Sequence, residues 1–240
     1  MAYTTIDNPQ QHFNTKLYAG NGGTQSITGV GFKPDWVWIK NRSGTDQHSQ
    51  YDIVRGVNKV IRSSGTGAEG SQSDGLTAFG SDGFSVGAAG SVNTNSNNFA
   101  SWNWLAGGSQ GSSNTDGTIN STYTSANTTA GFSIVKYTGT GSNATVGHGL
   151  GTAPRMIIFK NTNSTRDWAV YHADLVDPDN YLSFNRDYAK TSGYNFSNAT
   201  APTSSVFSVG TLNGNNGSSQ EYIAYCFADK QGFSKFGAYR

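Results

Sequence analysis

The chain has 240 residues, enough for one large β domain or for two domains of ordinary size. Charged residues make up only 13% of it, form no run of Lys and Arg, and leave a formal net charge of +1. This balance argues against nucleic-acid binding and against an amphipathic helix on a membrane surface, and the single cysteine, Cys226, excludes an intramolecular disulfide.

The amino-terminal stretch Met1–Pro9 has neither the basic nor the apolar region of a secretory signal. We therefore expect synthesis and retention in a cytoplasm, with release by lysis rather than by secretion. The longest apolar run, Met156–Phe159, is too short to cross a bilayer, so no membrane insertion is predicted.

Aromatic residues at 12% and 31 glycines indicate short aromatic strands separated by Gly, Asn, Ser and Thr turns. This pattern is typical of β-sandwiches and barrels. Helical periodicity is almost absent. The best window, Tyr51–Arg62, is interrupted by Gly56, and it leaves open both a strand and a single short helix.

An internal repeat organises the chain, because a series of motifs recurs in the same order. The recurring pairs are Phe13–Tyr18 with Phe132–Tyr137, Gly31–Asn41 with Gly149–Asn161, Phe84–Gly87 with Phe207–Gly210, and Phe99–Trp104 with Tyr222–Phe227. We interpret the chain as a tandem duplication of one all-β domain. The prediction is two β-sandwich (jelly-roll-like) units, at residues 1–106 and 132–240, joined by a linker at 107–131.

The segments outside the repeats carry two further predictions. The linker is rich in Gly, Ser, Asn and Thr, although Thr118–Tyr123 alternates like a short strand that could dock on a neighbouring sheet. Near the carboxyl terminus, Gly232–Gly237 resembles Gly131–Ile134, the opening of a unit. We expect it to form an extra closing strand that covers an open edge of the second unit.

Side-chain alternation predicts which faces are buried. On the last strand of each unit, one face is wholly apolar, and we expect it to pack against a facing sheet. These residues are Ala100, Trp102 and Trp104 in the first unit and Ile223, Tyr225 and Phe227 in the second. Trp36–Ile39 and Met156–Phe159 are apolar on both faces, which is typical of central strands.

Residues for catalysis or metal binding are scarce. The two glutamates, Glu69 and Glu221, have no counterpart in the other unit, and the histidines lack zinc spacing. His148 is predicted to be a surface turn residue. The Asp177–Asn180 stretch offers oxygen ligands for Ca²⁺ but lacks a calcium-loop pattern, so a plain turn is favoured. The sequence predicts no enzyme, no cofactor and no metal site.

The runs Ile27–Lys40, Ala100–Gly108 and Asn127–Val135 resemble a tandem-repeat β domain of virion structural proteins in tailed phages. That domain is common in phages of marine bacteria, including cyanophages. Val146–Leu150 and Tyr225–Ala228 fit it as well, and the resemblance extends from about Phe13 to Tyr239. It implies a location in the virion and other virion proteins as partners, and it brings no catalytic residues.

Three functions follow from this resemblance. The first is a tail fibre or spike protein that attaches to host-surface glycans, and the second is a head decoration, knob or tail-assembly protein without a receptor role. The third, a polysaccharide depolymerase, is disfavoured by the few carboxylates. We also expect a homo-oligomer, with a trimer as one candidate state, because virion proteins act in symmetric assemblies.

Glycan contacts are expected from loops at one end of each sandwich. The candidates are the equivalent loops Arg42–Gln50 and Asn161–Asp167, which follow the repeated Lys-Asn pair. Either loop taken singly is more simply explained as an inert connection between strands. The candidate binding residues are Arg42, Asp46, His48, Asn163, Arg166 and Asp167.

Overall fold

Antiparallel strands make up nearly all the regular structure of residues 4–239, which are the residues that the computed structural model describes. The prediction of an all-β sandwich fold is confirmed. The chain divides into a first unit, residues 8–110, and a second unit, residues 111–239 together with residues 4–7. Among these described residues, no helix is long and apolar enough to cross a membrane.

The first unit places a six-stranded sheet, in the order β1-β9-β3-β4-β5-β6, against a smaller sheet, β2-β8-β7. A four-residue helix, α1 (Gly90–Asn93), precedes the last strand. The strands are β1 (Phe13–Ala19), β2 (Gln25–Thr28), β3 (Trp36–Asn41), β4 (Ser49–Asp52), β5 (Lys59–Arg62), β6 (Gly70–Ser71), β7 (Leu76–Gly80), β8 (Gly83–Val86) and β9 (Asn98–Trp104). The window Tyr51–Arg62 is therefore the end of one strand, a turn and a second strand, and not a helix.

The core of the first unit lies between its two sheets. Phe99 of β9 packs there with Phe84 of β8, and the Tyr18 ring stacks on the Phe99 ring at 5.1 Å. Because Phe99, Ser101 and Asn103 alternate along one face of β9, all three point inward, and the two polar side chains are fully buried.

The aromatic face of β9 is turned the other way, so the prediction that it packs on the facing sheet is wrong. Trp102 and Trp104 are half-buried, and the Trp104 ring stacks on Trp36 of β3 at 4.3 Å, on the side away from β2-β8-β7. Alternation separates the two faces of a strand. It does not say which of them meets the partner sheet, and here the more apolar face does not.

The second unit has a six-stranded sheet in the order β10-β11-β17-β13-β14-β15, with the pair β12-β16 facing it. Its strands are β10 (Tyr123–Asn127), β11 (Phe132–Thr138), β12 (Ala144–Gly147), β13 (Met156–Asn161), β14 (Ala169–His172), β15 (Leu182–Ser183), β16 (Val206–Val209) and β17 (Glu221–Phe227). The order of the large sheet matches that of the first unit from β1 to β5. This match supports the duplication, which stays an interpretation.

The core of the second unit is formed by Tyr222, Ala224 and Cys226 of β17 with side chains from β11, β13 and β16. The Tyr137 ring stacks on Tyr222 at 5.4 Å and meets Phe207 edge-on at 5.9 Å. The predicted core face of Ile223, Tyr225 and Phe227 is thus again the opposite one, although these residues are also buried. Both faces of β13 are buried, as predicted for a central strand.

The open edge of the second large sheet is covered by β10 and not by the carboxyl-terminal segment. A turn closed by the Gly131 N–H donating to the Asn127 carbonyl at 2.9 Å joins β10 to β11, so their pairing is local. The predicted linker therefore contains a paired strand, which begins where the predicted Thr118–Tyr123 strand ends. Of the described residues in 232–239, none lies in a strand, and the prediction of a closing strand there is wrong. Instead, a turn at Gly232 brings Phe236 onto Phe227, with ring centroids 5.6 Å apart.

Candidate functional site

An open cleft of about 420 Å³ lies on the second unit. Its walls come from residues 166–168 between β13 and β14, Ala169 at the start of β14, residues 194–195, and the turn 211–214 after β16. Tyr181 and Ser183 also line it. The cleft thus combines the loop that follows β13, one of the two loops predicted to bind, with a long segment between β14 and β16.

The floor of the cleft is fixed by a buried lysine. The Lys160 Nζ at the end of β13 donates to the Arg166 carbonyl oxygen at 2.9 Å and lies 6.0 Å from the centre of the Trp168 ring. Lys160 and Trp168 are both fully buried, and burial lowers the pKa of Lys160 to about 8. Asn161 closes the turn, because its Oδ1 accepts from the Ser164 N–H at 2.7 Å. The repeated Lys-Asn pair therefore holds this loop in one conformation.

The two charged residues in the cleft wall differ in their surroundings. Asp167 Oδ1 accepts from Asn185 Nδ2 at 2.7 Å and from Arg186 Nε at 2.8 Å. Burial raises the pKa of Asp167, but these hydrogen bonds outweigh it and the pKa lies below its usual value. The guanidinium of Arg166 is exposed, and no carboxylate of the described residues lies within ion-pair distance of it.

Exposed aromatic rings are concentrated beside the cleft. Tyr194 in its wall is 56% exposed, and the neighbouring Tyr188 is 62% exposed with the Arg186 guanidinium 5.8 Å from its ring centre. Tyr181 is half-buried and stacks on Phe196 at 4.9 Å, which fixes the plane of its ring. Among the described residues, most of the exposed large apolar side chains fall within 176–194.

The remaining wall is held by hydrogen bonds to the backbone. The N–H groups of Thr211 and Leu212 both donate to the Asn195 carbonyl oxygen, at 2.9 and 3.2 Å. The Asn213 carbonyl oxygen accepts from the Tyr222 hydroxyl at 2.8 Å, and Tyr222 belongs to the core. The polar wall is therefore anchored to the sandwich and does not depend on a ligand for its shape.

The structure brings two of the predicted binding residues into this cleft, Arg166 and Asp167. Asn163 belongs to the same loop but not to the lining. Its Oδ1 accepts from the Glu221 N–H at 3.1 Å, so it joins the loop to β17.

The other three predicted residues lie in the first unit, where the loop is satisfied internally. Asp46 Oδ2 accepts from Asn41 Nδ2 at 2.7 Å, and His48 Nδ1 accepts from Trp38 Nε1 at 2.8 Å. Burial, followed by the charge of Lys40, lowers the pKa of His48. Arg42 is exposed, and its N–H donates to the Asn98 carbonyl at 2.7 Å. These hydrogen bonds fix the orientation of the Asp46 carboxylate and of the His48 ring within the loop.

The sequence analysis missed the aromatic half of the cleft, namely Tyr181 and Tyr194, and the amides of Asn195 and Asn213. A signal for them was present. The stretch 180–196 carries five aromatic residues among Asn, Asp, Ser and Gly without the alternation of a strand. Aromatic residues in a non-strand segment have no sheet face to bury them, so some remain on the surface.

Two predictions about isolated groups have different outcomes. His148 is fully buried and not a surface turn residue, since its Nδ1 accepts from the Leu150 N–H at 3.2 Å and its Nε2 lies 3.1 Å from the Thr203 carbonyl. The Asp177–Asn180 stretch forms a turn in which Asp179 Oδ1 accepts from the Ser197 and Ala199 N–H groups, at 2.7 and 3.0 Å. Within residues 4–239, no cluster of three or more His, Cys, Asp or Glu side chains suits a metal ion.

A comparison with protein families finds a match that covers residues 8–240. The matching model is described as a domain of unknown function, DUF7483. Neither a curated protein nor a solved structure matches the chain.

Proposed function

The chain belongs to the DUF7483 family, and we propose that it is a non-enzymatic structural protein of a tailed-phage particle that attaches to host-surface glycans through the cleft of its second unit. The observation that carries this proposal is the exposed Tyr194 ring in a cleft whose lining also includes polar and charged side chains. The runs that resemble the virion repeat domain support the location in a particle.

Saccharides suit a cleft of this kind. A pyranose ring has an apolar C–H face that packs on a flat aromatic ring, and a hydroxyl edge that bonds to amides and carboxylates. Tyr194 and Tyr181 offer rings, and the exposed Asn213 offers an amide. The volume of about 420 Å³ falls within the range of roughly 300–1,000 Å³ that is usual for small-ligand sites.

The charges in the cleft favour binding over hydrolysis. Cleavage of a glycosidic bond ordinarily requires two carboxyl groups, one on each side of the bond. Among the described lining residues, Asp167 supplies the carboxylate, and it is already bonded to Arg186 and Asn185. An ion-paired carboxylate with a lowered pKa is a poor proton donor at neutral pH.

Replacement of the exposed ring tests the proposal. We expect Tyr194→Ala to weaken binding to immobilised host-surface polysaccharide by about tenfold or more, because the stacking surface is lost. Tyr239→Ala is the matched control, since Tyr239 is a fully exposed tyrosine away from the cleft. Equal binding by the wild type and both variants, or no binding by the wild type, would refute glycan attachment through this cleft.

The location in the particle has its own test. Quantitative mass spectrometry of purified particles compares the copy number of this chain with that of the major capsid protein. A small ratio supports a tail or spike position, and a ratio near one favours head decoration instead. Absence of the chain from purified particles would refute the virion assignment.

A further inference from the structure

We propose that the saccharide bound in this cleft is acidic, and that Arg166 binds its carboxylate while the sugar ring packs on Tyr194. This inference rests on the proposed function and narrows it to glycans that contain uronic acids. Both side chains line the same cleft, so a saccharide bound there has access to each of them.

Arg166 combines a fixed backbone position with an exposed side chain, which suits an anion-binding residue. Its carbonyl oxygen is held by the Nζ of the buried Lys160 at 2.9 Å, so the backbone from which the side chain extends is fixed. Its guanidinium is exposed, and no carboxylate of the described residues pairs with it. A guanidinium bonds a planar carboxylate through two parallel N–H groups, a geometry that Lys cannot supply.

The neighbouring carboxylate does not cancel this charge. Asp167 is paired with Arg186 at 2.8 Å and receives a further hydrogen bond from Asn185. Lys160 lies beneath the loop, and with a pKa of about 8 it keeps its proton at neutral pH. Lys160 is fully buried and Asp167 is paired with Arg186, so Arg166 is the exposed cation of the cleft lining that an anionic ligand can pair with.

The equivalent loop of the first unit has the opposite character. There, the position corresponding to Arg166 is Asp46, whose carboxylate accepts from Asn41 at 2.7 Å. A carboxylate at this position repels an acidic sugar, so we assign the anion site to the second unit alone.

The test uses matched pairs of polysaccharides. Alginate, polygalacturonate and hyaluronate are immobilised next to their carboxyl-reduced forms, in which each uronic acid has become the neutral sugar of the same ring and linkage. We expect the intact chain to bind one or more acidic forms, to lose about tenfold or more in affinity on carboxyl reduction, and to weaken as salt is raised.

Variants attribute the effect to one side chain. Arg166→Gln should remove the preference for the acidic form, and Arg166→Lys should restore part of it, since the charge returns without the paired N–H groups. Lys235→Gln, which removes one positive charge from an exposed side chain outside the cleft lining, should leave binding unchanged.

The outcomes distinguish a failure of this inference from a failure of the proposed function. Equal affinity for acidic and reduced forms, or a preference that survives Arg166→Gln, overturns the role of Arg166 and leaves glycan attachment intact. Binding to host-surface polysaccharide without binding to any acidic form has the same meaning. Failure to bind either host polysaccharide or the acidic forms overturns both.

Discussion

At the scale of single residues, His148 makes the stability of the second unit depend on pH. It is fully buried with both ring nitrogens facing backbone groups, and burial lowers its pKa below the ordinary value of 6.5. A histidine with a lowered pKa in the folded state contributes stability above pH 6.5, and this contribution is lost as the pH falls below that value. The cause is that the unfolded chain takes up the proton more readily than the folded chain does.

We therefore expect the thermal midpoint of the wild type to fall between pH 7.5 and pH 5.5, and that of His148→Gln to fall less. The Gln amide offers one donor and one acceptor but does not titrate. Thermal unfolding followed by circular dichroism at both pH values measures the difference. An identical fall in the two proteins would show that His148 does not carry the pH dependence.

The lone cysteine is a second residue whose behaviour follows from burial. Cys226 is fully buried in the core of the second unit, and burial raises the pKa of its thiol to about 12. Since the thiolate is the reactive species, the native chain should not react with a disulfide reagent at pH 8 within minutes. In denaturant, one thiol per chain should react. Rapid reaction of the native chain would mean that this part of the core opens readily.

At the scale of elements, the two units protect the corresponding edge strand differently. In the second unit, β10 pairs with β11. In the first unit, β1 lies at the edge of the large sheet. The Gly20 N–H donates to the Asn97 carbonyl, and the Leu105 N–H donates to the His12 carbonyl. In this register, the backbone groups of the even-numbered residues of β1 face β9, and those of the odd-numbered residues face away from it. The Thr15 N–H therefore points outward, and the Asn14 side chain accepts from it at 2.9 Å.

We expect Asn14→Ser to expose this edge, because the shorter side chain bonds neither to Thr15 nor to the Val30 carbonyl, which now accepts from Asn14 Nδ2 at 2.8 Å. Stability should fall by about 1–2 kcal/mol, and self-association should rise. Denaturant unfolding and sedimentation velocity measure the two effects. Asn14→Asp keeps the acceptor and loses the donor, so it should lose stability without added association. Equal association of both variants would contradict the edge role of Asn14.

The sequence predicted the positions of the strands better than the faces through which they pack. The recurring motifs at Trp36–Ile39 and Met156–Phe159 coincide with β3 and β13, because β-branched and aromatic runs bounded by turn residues are a local signal. The inward face of β9 was missed, since Ser101 and Asn103 are buried as a polar pair in which Asn103 Nδ2 donates to Ser101 Oγ at 3.1 Å. Hydrophobicity alone ranks that face as the outer one.

The sequence predicted one side of the candidate site, because only that side follows a local motif. Arg166 and Asp167 follow a repeated motif, so their loop could be placed after β13 from the sequence. Tyr194 and Asn213 are distant from them in sequence and reach the cleft through the turns after β15 and β16. The approach of segments so far apart depends on how the two sheets pack, and no local pattern records it.

At the scale of the whole molecule, the two units are expected to differ in function, although their large sheets share a strand order. The cleft belongs to the second unit, whereas in the first unit the loop is bonded internally through Asp46 and His48 and carries a carboxylate, Asp46, at the position of Arg166. We therefore predict one bound saccharide per chain. Isothermal titration with a short acidic oligosaccharide should give a stoichiometry of about one, and Arg166→Gln should weaken the binding by about tenfold, as carboxyl reduction does.

A stoichiometry of two would mean that the first unit also binds, and the argument from its internally bonded loop would then be wrong. Binding through this one open cleft also implies weak attachment by one copy. If copies assemble in the particle, simultaneous engagement of a repeating polysaccharide raises the overall affinity by a factor on the order of 10²–10⁴ without any new contact. Binding to a dense polysaccharide surface should accordingly exceed binding to the free oligosaccharide, and the excess should vanish for any form of the chain that is monomeric in solution.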